Sequence, residues 1–172
     1  MPQDGPAITS TIIDINDNNE GDTMSRLQLA LNVDDLEESV AFYSNLFGTA
    51  PAKRKPGYAN FAITEPPLKL VLVENTGAGG TINHLGVEVA DTDAVDAEQT
   101  RLGEAGLASV DERGTTCCYA KQDKFWVENA PNGERWEIYT VLSDSETFSA
   151  PSDSDTCCGV PMAEAEPAAS CC

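Results

Sequence analysis

The chain of 172 residues contains six cysteines, all in adjacent pairs: Cys117–Cys118, Cys157–Cys158 and Cys171–Cys172. Neighbouring Cα atoms lie about 3.8 Å apart, which is less than the span of roughly 4.4–6.8 Å in ordinary disulfides. A structural disulfide within a pair is therefore a poor explanation. Thiolate sulfur is a good ligand for soft ions, so the first pair is a candidate binding group. The alternative is two small, partly buried apolar side chains.

The only histidine of the chain, His84, occupies the same place in a repeated pattern as Gln28. The two stretches that align are "QLALNV" (28–33) and "HLGVEV" (84–89), and each ends shortly before an aspartate and a predicted helix. If the two segments pair about a pseudo-two-fold axis, both side chains can point into one shared cavity. The alternative is that each is an ordinary polar residue near a strand end.

The same order of predicted elements occurs twice along the chain. The first set is strand 26–33, helix 34–48 and strands 58–63 and 68–74. The second set is strand 83–89, helix 92–106, a short strand 108–113, a strand around 124–128 and a final strand 135–142. Asp34 or Asp35 can cap the first helix and Thr92 the second. The sequence thus predicts an α+β domain at 24–142, made of two βαβββ modules at about 24–76 and 80–142.

The charge of the chain is strongly negative and unevenly spread. The formal net charge is −19, and neither 1–23 nor 143–172 contains a lysine or arginine. An acidic surface argues against binding to a nucleic-acid backbone. We find no apolar run of membrane-spanning length and no secretory signal, so we expect a cytoplasmic protein with reduced thiols. The polar composition of 1–23 and 143–172 predicts a flexible N-terminal extension and a flexible, acidic C-terminal tail.

Three stretches carry a resemblance to a known superfamily: "LALNVDDLEESVAFYSNLFG" (29–48), "HLGVEVADTDAVDAEQTRLGEAG" (84–106) and "GERWEIY" (133–139). Over about 24–142 the chain resembles the vicinal-oxygen-chelate superfamily of glyoxalases, bleomycin-resistance proteins and extradiol dioxygenases. Within it, "CCYAKQDKFWV" (117–127) is similar to the organoarsenical C–As lyases and their cadmium-induced relatives. The resemblance implies a curled mixed sheet around a metal site.

The resemblance also implies an activity, a cofactor and a set of site residues. The family's iron ligands fall on Gln28, His84 and Glu137, and its substrate-binding thiols on Cys117 and Cys118. The implied reaction is Fe(II)- and O2-dependent cleavage of the carbon–arsenic bond of a trivalent organoarsenical, which releases arsenite. Modules of this superfamily pair within or between chains, so the resemblance is compatible with a homodimer.

For several residues around these predicted ligands and thiols, the sequence allows more than one role. The position in the first module that corresponds to Glu137 falls near Leu70, and we do not expect Glu74 to act as a fourth ligand in its place. Because consecutive side chains of a strand point to opposite faces, the backbone at 117–118 must leave strand geometry, and we expect a mobile loop there. For Lys121 and Lys124 a solvated position is favoured over a role at the site.

Two other functions remain open at this point. A non-catalytic arsenic- or cadmium-binding protein of the same fold would need the thiols but neither Gln28 nor Glu137. Another resistance enzyme of the superfamily would not need the thiol pair. The tail pairs Cys157–Cys158 and Cys171–Cys172 could capture soft metals or could have no function.

Overall fold

A computed structural model describes residues 25–149, which form one eight-stranded sheet and two helices. The strands β1–β8 are Arg26–Val33, Lys53–Lys55, Tyr58–Ile63, Leu68–Glu74, Ile82–Glu88, Ser109–Cys117, Ala120–Val127 and Trp136–Asp144. The helices α1 and α2 are Leu36–Phe47 and Thr92–Glu104. Within 25–149 neither helix is long and apolar enough to cross a membrane.

The strand order is β2-β3-β4-β1-β5-β8-β7-β6, which divides the sheet into two equivalent halves. Each half is a βαβββ module whose first strand pairs in parallel with its last, β1 with β4 and β5 with β8. The two first strands, β1 and β5, pair antiparallel at the centre and join the modules. The predicted α+β fold of two such modules in one mixed sheet is confirmed, and the sheet is open because β2 and β6 lie at its edges.

The alternation in β1 sorts its side chains between two environments. Gln28, Ala30 and Asn32 are buried on one face of the sheet. Leu29 and Leu31 pack on the opposite face, in the cluster that includes residues of α1. We call the face that carries Gln28 the inner face. Its buried residues include polar ones, so these must find partners within the protein.

Short acidic side chains begin both helices. Asp35 Oδ1 accepts a hydrogen bond of 2.9 Å from the Glu38 backbone N–H at the start of α1. Asp91 Oδ1 accepts a bond of the same length from the Ala94 N–H at the start of α2. The first cap is one of the two predicted residues, whereas the second lies one residue before the predicted Thr92. Each cap thus gives a partner to one of the first backbone N–H groups, which have no acceptor within the helix.

Each helix covers the outer face of its own module. Helix α1 contacts β3 and β4, and α2 contacts β7 and β8. The outer core of the first module includes Phe61 and Leu72, which have no exposed surface. The core of the second contains Val95, Phe125 and Ile138. The helices therefore leave the inner face free to form a cavity.

One strand of the first module is not located by the sequence analysis, and one predicted strand boundary in the second module is wrong. The segment Lys53–Lys55 forms an edge strand, but its three basic residues lack the apolar alternation that predicts one. Strand β6 continues to Cys117 instead of ending near 113, so the predicted mobile loop before the thiols is a strand. Its polar residues pair with β7 through the backbone, which side-chain hydrophobicity does not reveal.

The predicted flexible tail overlaps the folded region at its start. Strand β8 runs through Asp144, Phe148 packs against the aromatic rings of Tyr58 and Tyr119, and Ser149 forms a β-bridge with Cys117. Residues 1–24 and 150–172, with both tail cysteine pairs, lie outside the described residues.

We expect Leu72→Ala to lower the free energy of unfolding by about 2–5 kcal/mol, because Leu72 is fully buried in the outer core and its truncation leaves a cavity. Urea denaturation followed by circular dichroism measures this change. The matched control is Leu46→Ala on α1, where 59% of the residue is exposed. A loss for Leu72→Ala no larger than for Leu46→Ala would contradict the assigned core.

Candidate metal centre and thiol pair

Three neighbouring strands bring the predicted metal ligands together. Gln28 lies on β1, His84 on β5 and Glu137 on β8. Gly86 of β5 faces Gln28 on one side and Glu137 on the other. A Cβ atom built on Gly86 would lie 3.1 Å from Glu137 Cγ and 3.4 Å from Gln28. The missing side chain of Gly86 therefore gives the two longer side chains room to meet over β5.

The polar ends of the three side chains are in contact. Gln28 Nε2 lies 3.0 Å from His84 Nε2 and donates a 2.8 Å hydrogen bond to Glu137 Oε1. His84 Nε2 lies 3.3 Å from the same carboxylate oxygen. All three residues are buried, with 2–4% of their surface exposed. The structure thus brings Gln28, His84 and Glu137 to one point. The pseudo-symmetry predicts this convergence for Gln28 and His84, and the family resemblance adds Glu137.

The tautomer of His84 is set by its neighbour in the chain. His84 Nδ1 lies 2.7 Å from Asn83 Oδ1, and Asn83 Nδ2 donates a 2.9 Å bond to Asn32 Oδ1. Since Asn83 presents its amide oxygen, Nδ1 is the nitrogen that carries the proton in neutral imidazole. The lone pair of Nε2 then faces Gln28 and Glu137. This is the arrangement of a metal-binding histidine, whose other nitrogen donates to a fixed acceptor.

A buried lysine compensates the charge of Glu137. Lys124 Nζ donates a 3.0 Å hydrogen bond to Glu137 Oε2, and Lys124 has no exposed surface. Burial raises the pKa of the Glu137 carboxyl, but the Lys124 ammonium and His84 lower that pKa to about 2. The carboxylate therefore stays ionised at neutral pH, with Oε2 bound to lysine and Oε1 left for the centre.

The expectation of a solvated Lys124 is wrong. Strand β7 places Ala120, Gln122 and Lys124 at alternate positions, and all three are buried. The sequence signal that could have found this lysine is the same alternation, since Trp126 continues it. A lysine two residues from a tryptophan in a strand shares its face, and Lys124 Nζ indeed lies 4.5 Å from the Trp126 ring centroid.

The residues present fit a metal ion with nitrogen and oxygen ligands. Within 25–149 no three His, Cys, Asp or Glu residues converge on one point, so a centre here needs the Gln28 amide as its third ligand. An imidazole, a carboxylate and an amide oxygen suit a divalent first-row ion with open positions. Gln122 also lines the cavity, and its buried Oε1 has no partner among the described residues. Such an atom needs a ligand or water.

The fourth position of the centre is apolar. Gln28 corresponds to His84, so Ala30 corresponds to Gly86. The β4 partner of Ala30 is Val71, as Glu137 is the β8 partner of Gly86. Val71, next to the predicted Leu70, is buried and lines the cavity. Glu74 accepts a hydrogen bond from the Leu36 N–H at the start of α1 and does not line the cavity.

The thiol pair sits in the tight turn between β6 and β7. Cys117 pairs with Ala120, and the two residues between them have positive φ angles, 55° at Cys118 and 60° at Tyr119. These left-handed values are typical of a two-residue hairpin turn. The backbone does leave strand geometry at the pair, and the two Sγ atoms lie 3.3 Å apart.

One of the two thiols, that of Cys118, lines a cavity together with the three converging side chains. The cavity that Cys118 shares with Gln28, His84 and Glu137 has a volume of about 40 Å³. Both cysteines are buried and neither is in a disulfide. Tyr58 and Phe148 stand beside them in one apolar cluster. A substrate held by these sulfurs would be enclosed close to the metal ligands.

Comparison with known proteins agrees with this fold. Residues 26–138 match the family described as the glyoxalase/bleomycin resistance protein/dioxygenase superfamily. The chain belongs to that superfamily. Homoprotocatechuate 2,3-dioxygenase from Arthrobacter globiformis is a structural neighbour, with a TM-score of 0.51 and 20% identity over 74% of this chain and 39% of that one. This likeness supports the fold alone.

Sequence relatives are much closer than the structural neighbours. The cadmium-induced protein CadI of Mycobacterium bovis is 68% identical over 77% of this chain and 88% of its own. A trivalent organoarsenical cleaving enzyme of Thermomonospora curvata is 59% identical over 78% of this chain and 89% of its own. Another protein of that name, from Bacillus sp. strain MD1, is 43% identical over 78% of this chain and 83% of its own.

We expect Gly86→Ala to weaken Co(II) binding by about tenfold or more, because the new methyl group pushes Glu137 and Gln28 out of ligating geometry. Isothermal titration calorimetry of metal-free protein measures the Kd. The control is Gly103→Ala on α2, where an added Cβ meets nothing within 4 Å. Equal Co(II) affinities of the two variants would contradict the close approach at Gly86.

Proposed function

We propose that this chain is a C–As lyase that cleaves trivalent organoarsenicals with Fe(II) and O2 and releases arsenite. The observation that carries the proposal is a nitrogen–oxygen ligand set that shares one cavity with Cys118, whose Sγ lies 3.3 Å from that of Cys117. Thiols select soft ions, and the second set selects harder ones. The relatives named as trivalent organoarsenical cleaving enzymes support the same assignment.

In this proposal Gln28, His84 and Glu137 hold the iron. Bound Fe(II) would supply the activation of O2, which does not otherwise react readily with closed-shell molecules. Lys124 keeps Glu137 ionised without occupying Oε1. The Val71 side chain leaves the fourth protein position without a ligand. Gln28 is a neutral ligand, so we expect the metal to be held more loosely than by a second carboxylate.

Cys117 and Cys118 bind the substrate through arsenic. A trivalent organoarsenical RAs(OH)2 has two exchangeable hydroxyl groups. Exchange with two thiols forms two As–S bonds and releases two molecules of water, which leaves the carbon–arsenic bond as the third bond. The turn presents both sulfurs on one side, 3.3 Å apart, so one arsenic atom can bridge them. A pentavalent arsenical lacks this soft, exchangeable centre and should bind poorly.

The overall reaction balances without an external reductant. For a methyl substrate, CH3As(OH)2 and O2 give As(OH)3 and formaldehyde. One oxygen atom goes to carbon and the other to arsenic, and the carbon–arsenic bond breaks. Carbon supplies the electrons that reduce oxygen. Two molecules of water hydrolyse the two As–S bonds when As(OH)3 leaves, and this returns both thiols in the same oxidation state. Reduced thiols require a reducing compartment such as the cytoplasm.

We expect anaerobically Fe(II)-loaded protein to convert methylarsenite to arsenite when air is admitted, as followed by chromatography with arsenic detection. Gln28→Ala or Glu137→Ala should lower the rate by more than about 100-fold, because each removes a metal ligand, while arsenical binding survives. Cys117→Ser should abolish arsenical binding itself. Cys158→Ser, the same substitution outside the described region, serves as the matched control and should retain turnover.

Other outcomes identify the alternatives. Arsenical binding that needs the thiols, with no arsenite release above an iron-free sample, would indicate a non-catalytic binding protein. Turnover of another substrate that survives Cys117→Ser would indicate a different resistance enzyme of the superfamily. Methylarsenate, the pentavalent analogue, should not be cleaved by the intact protein.

A further inference from the structure

The side chain of Gln28 has a second set of partners, on the side away from His84. Tyr139 Oη lies 2.6 Å from Gln28 Oε1 and 2.8 Å from Glu88 Oε2. Lys69 Nζ donates a 3.0 Å hydrogen bond to the same phenol oxygen. Glu88 is also paired with Arg26 and Lys69. The phenol thus lies between an amide and a carboxylate that both accept hydrogen bonds.

The single proton of the Tyr139 hydroxyl limits which hydrogen bonds this network can form. A phenol has one proton, so it cannot donate to Gln28 Oε1 and Glu88 Oε2 at the same time. In the arrangement that the structure shows, the phenol donates its proton to Gln28 Oε1, because both Gln28 Nε2 protons are directed to Glu137 Oε1 and His84 Nε2. Glu88 is then satisfied by Lys69 and Arg26 alone.

A metal ion at this centre requires the opposite orientation of the Gln28 amide. A cation is bound by the amide oxygen, but the nitrogen of Gln28 now faces His84 and Glu137. When the amide turns over, Nε2 faces Tyr139 and needs an acceptor there. The phenol oxygen can accept from Gln28 Nε2 and from Lys69 while its own O–H turns to donate to Glu88 Oε2, 2.8 Å away. The amide N–H that faces Tyr139 then has an acceptor, and no proton is transferred.

We infer that Tyr139 is a positioning residue that acts through Gln28: its hydroxyl turns from Gln28 to Glu88 and so allows the amide to present its oxygen to the metal. This inference rests on the proposed metal centre. The hydroxyl serves both orientations of the amide, whereas a phenylalanine serves neither. Without the phenol, the turned amide leaves a buried N–H without a partner, which costs binding energy.

The first experiment is a double-mutant cycle with Co(II) as the probe. Tyr139→Phe should weaken Co(II) binding to metal-free protein by about 10–100-fold and alter the visible absorption of the bound ion. Tyr43→Phe on α1, outside the cavity, is the control. In the Gln28→Ala background, Tyr139→Phe should cause no further loss, because the phenol acts only through the amide.

The variants of the cycle test the role of Tyr139 and the existence of the metal centre separately. If Gln28→Ala weakens Co(II) binding and Tyr139→Phe does not, the role of Tyr139 is wrong while the metal centre stands. If Gln28→Ala changes nothing, the proposed centre itself is wrong. A Tyr139→Phe loss that persists in full in the Gln28→Ala background would also overturn the inference.

The second experiment needs no variant. The NMR spectrum of the native protein should gain a nuclear Overhauser effect between the Gln28 side-chain NH2 and the Tyr139 ring protons when Zn(II), a diamagnetic probe, is added. In the structure these amide protons point to His84 and Glu137, so we expect no such effect before Zn(II) is added. The same effects before and after Zn(II) binding would show that the amide does not turn.

Discussion

The buried ion pair of Lys124 and Glu137 is the interaction on which the centre depends. Removing either charge from water costs several kcal/mol, and neither residue is more than 3% exposed. Burial raises the pKa of the Glu137 carboxyl, and the charge of Lys124 is the largest contribution that lowers it. In the proposed function, the same ammonium would repel an incoming divalent cation. A metal held here would therefore bind and leave easily.

Distance across the sheet explains why the side chains that meet over β5 are a glutamine and a glutamate. Gln28 and Glu137 lie on strands that flank β5, and two strand spacings amount to about 9–10 Å. Asparagine and aspartate are each one methylene shorter and would leave a gap. Glutamine and glutamate close it, to 2.8 Å, because Gly86 places no side chain between them. The lengths of Gln28 and Glu137 and the absence of a side chain at Gly86 together allow this contact.

The sequence predicts those parts of the structure that repeat or alternate. Strand β1 and the equivalence of Gln28 and His84 follow from periodicity, and the helix cap at Asp35 follows from residue type. Glu137 is suggested only by resemblance, since a glutamate in a strand has no local signal for metal binding. Lys124 was missed because the burial of a lysine depends on a carboxylate thirteen positions along the chain. The role of Tyr139 needs the distances among three strands.

In the proposed function, the site would bind two elements of different chemistry. Arsenic and iron both bind sulfur, so thiols alone would not distinguish them. Here the sulfurs are confined to the turn after β6, and the imidazole, amide and carboxylate to the strands at the centre of the sheet. Under the proposed function, each would meet the donors that it prefers, arsenic at the turn and the metal at the strands. The two sets differ in rigidity as well, since a strand in mid-sheet is paired on both sides and a two-residue turn is not. In the proposed function, the centre of the sheet would fix where oxygen reacts, and the turn would orient the carbon–arsenic bond of the bound substrate toward it.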